Sequence, residues 1–195
     1  MSKTTSIVMV GVGGQGILLA TQIAARAALI MGFDVKTNEV HGMAQRGGSV
    51  MAQIRFGEKV YSPLVPEGTA NVLASLERIE ALRFASFLAP DGVAVVSRQA
   101  IIPVTVSSGQ AKYPTDAEDR LRKTFRRLAY IDAVGVAERL CDTRVANVII
   151  LGAMSAALDL PVECWKEAIA QCVKPRFKDV NVSAFEEGKR LAVSV

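Results

Sequence analysis

Apolar residues begin this chain as an unbroken run, Ile7-Val8-Met9-Val10. The run does not alternate with polar residues, so it predicts a strand buried on both faces. Glycines close it at once, in Gly11-Val12-Gly13-Gly14-Gln15-Gly16. Residues 17–31 are rich in Ala and Leu, with apolar side chains around most of the helical circumference. They predict a heavily buried helix stopped by Gly32. A second strand is expected over residues 33–39. Residues 50–56 alternate, with Val50, Ala52, Ile54 and Phe56 on one side and Met51, Gln53 and Arg55 on the other, which predicts a half-buried strand. Gly57-Glu58 then predicts a turn into residues 59–62, closing a β-hairpin, and Pro63 and Pro66 mark an ordered loop.

The same reading gives a buried strand over residues 71–76 and a helix over 77–89 ended by Pro90-Asp91-Gly92. An all-apolar strand follows over 93–97. Residues 101–106 predict a short strand near an edge, because Pro103 cannot donate to a ladder. A helix over 116–128 leads to a last strand at 130–131. The remainder predicts helices at about 133–140, 145–159, 162–172 and 182–192, with Pro161 entering the third and Asn181 capping the fourth. Strands alternate with helices through the first two-thirds, and no repeat, low-complexity tract or linker interrupts them. The expected fold class is α/β: a Rossmann-like, mostly parallel sheet with a β-hairpin insertion and a helical C-terminal part, forming one domain over residues 1–195.

Composition narrows the function. Of 195 residues, half are apolar and 22% charged, a globular balance with enough chain for one sizeable core. The net charge of +4 is spread along the chain, too diffuse to argue for nucleic acid. Arg120, Arg122, Lys123, Arg126 and Arg127 cluster on the 116–128 helix; with Asp116, Glu118 and Asp119 beside them they read as a solvated face, the alternative being a docking patch. The apolar N-terminal run is too short for a signal peptide, and residues 145–160 are interrupted by Asn147, Gly152, Ser155 and Asp159, so a cytoplasmic protein without membrane insertion is expected. Cys141, Cys164 and Cys172 are odd in number and widely spaced, which fits neither a disulfide framework nor a metal or cluster ligand set.

Two loops carry the candidate chemistry. In the first, Gly11, Gly13, Gly14, Gln15 and Gly16 join a strand to a helix whose N-terminus offers free N–H groups and a positive dipole end to a phosphate or carboxylate. The plain alternative is a tight turn with no ligand. A nicotinamide dinucleotide would also need an acid about twenty residues on, at the end of strand 2, and Glu39 lies in that region. The second loop begins at Glu39 and runs through Val40, His41, Gly42, Met43, Ala44, Gln45, Arg46, Gly47, Gly48 and Ser49. Arg46 is a fixed cation able to grip a carboxylate or phosphate with two bonds. His41, the single histidine, is a weak candidate acid or base, weighed against a structural hydrogen-bonding role. There is no GxxxxGK[ST] motif, no GxSxG motif and no acid cluster beside His41, so most complete catalytic sets are missing.

The two loops together resemble the gamma-domain family of 2-oxoacid:ferredoxin oxidoreductases. The carrying residues are Gly11-Val12-Gly13-Gly14-Gln15-Gly16-Ile17-Leu18 and Glu39 through Val50, with Ser62-Pro63-Leu64-Val65-Pro66-Glu67-Gly68, Ala146-Asn147-Val148 and Leu151-Gly152-Ala153. The chain is most similar to the branch that acts on indolepyruvate and other aryl pyruvates. The resemblance implies a subunit inactive alone. Its large partner would carry thiamine diphosphate and iron–sulfur clusters, pass electrons to ferredoxin, and give the acyl group to coenzyme A. It also implies that the glycine loop is not a dinucleotide site. Gly42, Met43, Gln45, Arg46, Gly47, Gly48 and Ser49, with His41, would then face the partner or coenzyme A. An independent NAD- or flavin-dependent oxidoreductase and a non-catalytic scaffold of the same fold are the alternatives.

Overall fold

The computed structural model describes residues 4–42, 47–110 and 112–192. Its frame is a sheet of six strands: β1 (Thr5–Val12), β2 (Asp34–His41), β3 (Ser49–Gly57), β4 (Ala70–Ser75), β5 (Leu88–Ser97) and β6 (Leu128–Ile131). The spatial order is β2-β3-β1-β4-β5-β6. β1 pairs in parallel with β4, β4 with β5 and β5 with β6, whereas β3 runs antiparallel to both β1 and β2. The sheet is therefore mixed and mostly parallel, and β2 points the same way as β1 although β3 separates them.

Helices cover both faces. On one lie α1 (Ile17–Ile30), α5 (Ala133–Arg139), α6 (Ala146–Ser155), α7 (Val162–Cys172) and α8 (Lys178–Ala192), packed over Ile7, Met9, Ile54, Val72 and Val95. On the other lie α2 (Arg78–Arg83) and α4 (Ala117–Thr124), with Ala81 and Leu121 over Val8, Val10, Leu73 and Val96. A short helix, α3 (Val104–Ser107), sits between β5 and α4. Alternate residues of β1 enter opposite cores, and this is why its sequence shows no polar alternation.

Several boundaries differ from expectation for identifiable reasons. Residues 59–62 form no strand, because both edges of β3 are already taken by β1 and β2. That segment is held as a loop instead: Arg55 Nη1 donates to the carbonyls of Ser62 and Leu64, both at 3.1 Å, Val65 N–H donates to Gln53 Oε1 at 3.2 Å, and Val60 N–H to Asp34 Oδ2 at 2.9 Å. The hairpin is β2–β3, and its connection is the second glycine loop. The expected edge strand at 101–106 is absent; the Pro103 carbonyl accepts from Val106 and Ser107 N–H at 3.0 Å each and starts α3. The 77–89 helix stops at Arg83, and Pro90-Asp91-Gly92 lies inside β5, which pairs Leu88 with Ala70. Asn181 does not cap α8, which begins at Lys178; its Nδ2 donates to the Phe177 carbonyl at 2.7 Å. Pro161 does occupy the N-cap of α7.

The helical C-terminal part is fixed by the α6–α8 crossing. Residues 147–155 of α6 are all buried, and Gly152 and Gly188 face the other helix so closely that an added Cβ would collide with the Phe185 and Ile149 carbonyls respectively. Replacing glycine by alanine in a helix ordinarily gains about 1 kcal/mol. Here overpacking against backbone outweighs that gain. Gly188→Ala is expected to lower stability in urea unfolding by about 2 kcal/mol, and a neutral or stabilising result would contradict the tight crossing.

Candidate functional site at the carboxyl edge of the sheet

Chain direction reverses around β1: its following helix α1 goes to one face, and α2, after the neighbouring β4, goes to the other. A crevice must open between them at the carboxyl ends of the strands, the position where ligands meet open α/β sheets. A cleft of about 620 Å³ lies there, lined by Gly13, Gly14, Gln15, Gly16, Gln99, Arg144 and Asn147 among others.

Gln15 ties the floor together. Its Oε1 accepts from Val12 N–H at 2.7 Å, and its Nε2 donates to the Leu76 carbonyl at 2.8 Å and to Gln99 Oε1 at 2.7 Å. One carboxamide thus joins the ends of β1, β4 and β5. Gly11 makes room for it, since a Cβ there would lie 2.7 Å from Gln15 Oε1. Gly16, at φ 79°, is the N-cap of α1 with no side-chain cap and no acid in the first turn, so the first N–H groups of a 14-residue helix face the cleft with their positive end open. Asn147 fixes that end from α6: its Nδ2 donates to the Gly16 carbonyl at 3.0 Å, and its Oδ1 accepts from Val148 N–H at 2.9 Å. Arg144 brings a cation to the rim. Two bonds to Asp142, at 2.8 and 2.7 Å, hold it and keep the Asp142 carboxyl below the usual range.

The second loop meets the first through backbone. Gly13 N–H donates to the Gly48 carbonyl at 2.8 Å, and Gly47 N–H donates to the Gly13 carbonyl at 3.3 Å. Gly42 N–H donates to the Ser49 carbonyl at 3.1 Å, extending the β2–β3 ladder by one step. The described parts of the two expected loops are therefore contiguous. His41 lies with Gly13, Gly14, Gly16, Leu18 and Val50 around a second cleft of about 390 Å³, and its Nε2 is 3.7 Å from Glu39 Oε2. Met43, Gln45 and Arg46 lie outside the described residues. Glu39 is not placed to hold a ribose at the glycine loop. β3 stands between β2 and β1, a separation of two strand spacings, roughly 10 Å.

Sequence reading missed the polar groups that link these loops to α2. Glu77 caps α2: Oε2 accepts from Ile79 and Glu80 N–H at 2.6 and 2.9 Å, and Oε1 accepts from the Tyr113 hydroxyl at 2.7 Å. Arg78 Nε donates to the Tyr113 oxygen at 3.0 Å. Burial pushes the Tyr113 phenol up to about 12; the Glu77 carboxylate raises it too, while Arg78 pulls the other way. A Glu directly after an apolar strand was the available signal for the cap, whereas nothing local marked Tyr113. Of the Arg/Lys cluster, Arg126 and Arg127 lie beyond α4, which ends at Thr124, while Arg120 and Arg122 pair with Asp116 and Glu118 one turn back, as a solvated face would. Among the described residues, no three His, Cys, Asp or Glu side chains gather as a metal site, and no helix is long and apolar enough to cross a membrane.

The fold and site define an α/β protein with a mixed, mostly parallel sheet and a cleft at its switch point. A family model described as pyruvate ferredoxin/flavodoxin oxidoreductase matches residues 6–191. The chain is 42% identical over 193 residues, 97% of its length and 96% of the relative's, to the indolepyruvate oxidoreductase subunit IorB of Archaeoglobus fulgidus. Its fold is shared with the gamma subunit of a keto/oxoacid ferredoxin oxidoreductase from Geobacter sulfurreducens (TM-score 0.73, 22% identity, 98% and 99% of the two chains). It is also shared with a 2-oxoglutarate:ferredoxin oxidoreductase from Magnetococcus marinus whose structure has 2-oxoglutarate, coenzyme A and succinyl-CoA bound (TM-score 0.77, 20% identity), covering all of this chain and 32% of that one. The chain belongs to the pyruvate ferredoxin/flavodoxin oxidoreductase family, a family of oxidoreductases in which its full-length relatives are subunits.

Two measurements check this geometry. Gln15→Leu leaves the Val12 N–H, the Leu76 carbonyl and the Gln99 amide without their partner; beside an open cleft the expected loss is about 2 kcal/mol in urea unfolding, and a change under about 0.5 kcal/mol would contradict the bridge. For Tyr113, the folded phenol titrates near 12 against an ordinary 10.0. Between those values the unfolded chain gives up the proton first, so stability falls as pH rises from about 10 to about 12. Unfolding midpoints across that interval should fall more steeply in the native sequence than in Tyr113→Phe; equal slopes would refute the assignment.

Proposed function

We propose that this chain is the subunit without thiamine of a 2-oxoacid:ferredoxin oxidoreductase acting on indolepyruvate or related aryl pyruvates. The reading is carried by the 42% identity to IorB across nearly the whole of both chains. In this scheme the 2-oxoacid is oxidatively decarboxylated, its acyl group goes to coenzyme A and its electrons go to ferredoxin. Thiamine diphosphate and iron–sulfur clusters supply that chemistry from a large partner subunit. Cys141, Cys164 and Cys172 of this chain are free thiols.

The chain's own contribution is electrostatic and positional. The uncapped N-terminus of α1, with Arg144 at the rim, presents N–H groups and a cation to an anion in the cleft. Arg46, which the sequence places in the second glycine loop, is assigned a second positive charge toward the same anion. The anion is either a carboxylate of the partner or part of coenzyme A, a molecule that the Magnetococcus marinus structure has bound. A dinucleotide-dependent enzyme acting alone is disfavoured, since Glu39 is a full intervening strand away from the glycine loop.

Affinity purification of the native complex, followed by a dye-reduction assay dependent on 2-oxoacid and coenzyme A, tests the reading. Activity should require both this chain and a large iron–sulfur partner; turnover by the isolated chain would overturn it. Within that complex, Arg46→Ala should weaken assembly or raise the Michaelis constant for coenzyme A about tenfold, the scale of one lost charge-assisted contact. If both stay unchanged, the anion is not met at this loop.

A further inference from the structure

α2 carries a buried carboxylate that helix capping does not explain. Glu77 is occupied by the two α2 N–H groups and Tyr113. Glu80, only 5% exposed, has no capping duty. A carboxylate taken out of water costs several kcal/mol unless its oxygens are well paired. Among the described residues, the ion-pair partner of Glu80 Oε1 is the Nε of a largely exposed Arg83, at 3.4 Å. Glu80 Oε2 accepts a hydrogen bond from the Ser49 hydroxyl. Ser49 is the first residue of β3 and stands opposite Val12 at the last paired step of β1. Beyond it, the hairpin is joined to the glycine loop only by the Gly13 bonds to Gly47 and Gly48 among the described backbone contacts.

We propose that Glu80 is a positioning residue: by holding Ser49 against α2 it sets the height of Gly47 and Gly48 on Gly13, and through Gly13 the mouth of the cleft at the start of α1. Gly47, Gly48 and the mouth of the cleft are then coupled, although Ser49 belongs to the sheet and Glu80 to a helix packed on one of its faces. The local part of this claim needs only the chain itself. Its consequence for coenzyme A rests on the function proposed above.

The test is amide hydrogen exchange on the full chain combined with kinetics of the assembled enzyme. In Glu80→Leu, the amides of Gly13, Gly42 and Gly47 should exchange about tenfold faster while those of Met9 and Val10 keep their rates, since a local contact is lost and not the fold. Glu80→Gln, which keeps an acceptor oxygen for Ser49, should restore those rates to within about threefold. In the complex, Glu80→Leu should raise the Michaelis constant for coenzyme A about fivefold with kcat within about twofold, and Glu80→Gln should reverse most of the rise. Unchanged exchange at the three glycines, or equal acceleration at Met9 and Val10, overturns the positioning role. Local acceleration with an unaltered Michaelis constant leaves Glu80 as the anchor of Ser49 and, of the two anions proposed above, rules out coenzyme A.

Discussion

The insertion of β3 between β1 and β2 is the constraint on which the site depends. A crossover through α1 would ordinarily bring the next parallel strand beside β1, with its acid beside the glycine loop. Here the chain goes one strand further out to β2, turns, and returns as β3 to take the place next to β1. Two consequences follow from that single rearrangement. Glu39 is carried away from the glycine loop, and the hairpin connection is carried toward it. The reciprocal bonds between Gly13 and Gly47–Gly48 exist because β3 ends its pairing with β1 where both strands run into glycines. At Gly47 the requirement is conformational, since its φ of 74° is a backbone angle that glycine adopts without strain.

The parts of the fold governed by local periodicity were legible in the sequence. β1, α1, the alternating face of β3 and the buried α6 follow from which residues repeat at which interval, and burial bears them out in Ile7, Ala24, Ile54 and Ile150. Pairing was not legible, because nothing local in residues 50–56 says which strand will lie on either side. The expected partner at 59–62 followed from a short turn, and that turn lost to two longer ladders. Pro103 illustrates a second limit. The residue was correctly seen as unable to donate, yet its carbonyl started a helix instead of ending a strand.

The candidate site divides in the same way. Its glycines stand out in sequence because backbone requirements are written in residue type. Gln15 sits inside the same motif, but its three partners come from residues up to 84 positions away. Asn147 was visible as a polar break in an apolar helix and within the Ala146-Asn147-Val148 run, and the structure gives that break a partner in the Gly16 carbonyl, 131 residues earlier. Polar residues that interrupt apolar segments were thus the usable clue, although their targets could be found only in three dimensions. Tyr113 lacked even that clue, since it lies in an irregular crossover with no periodicity to violate.

Internal bonds organise the glycine-loop end of the cleft. Gln15 occupies the crevice where a dinucleotide-binding fold leaves room for pyrophosphate, and it satisfies three strand ends at once. Asn147 holds the first carbonyl at the start of α1 and leaves the N–H groups beyond it open. The floor of the cleft is therefore cross-linked by side-chain bonds, while the N-terminus of α1 beside it has no side-chain cap. A floor held in that way would meet an anionic group with little reorganisation.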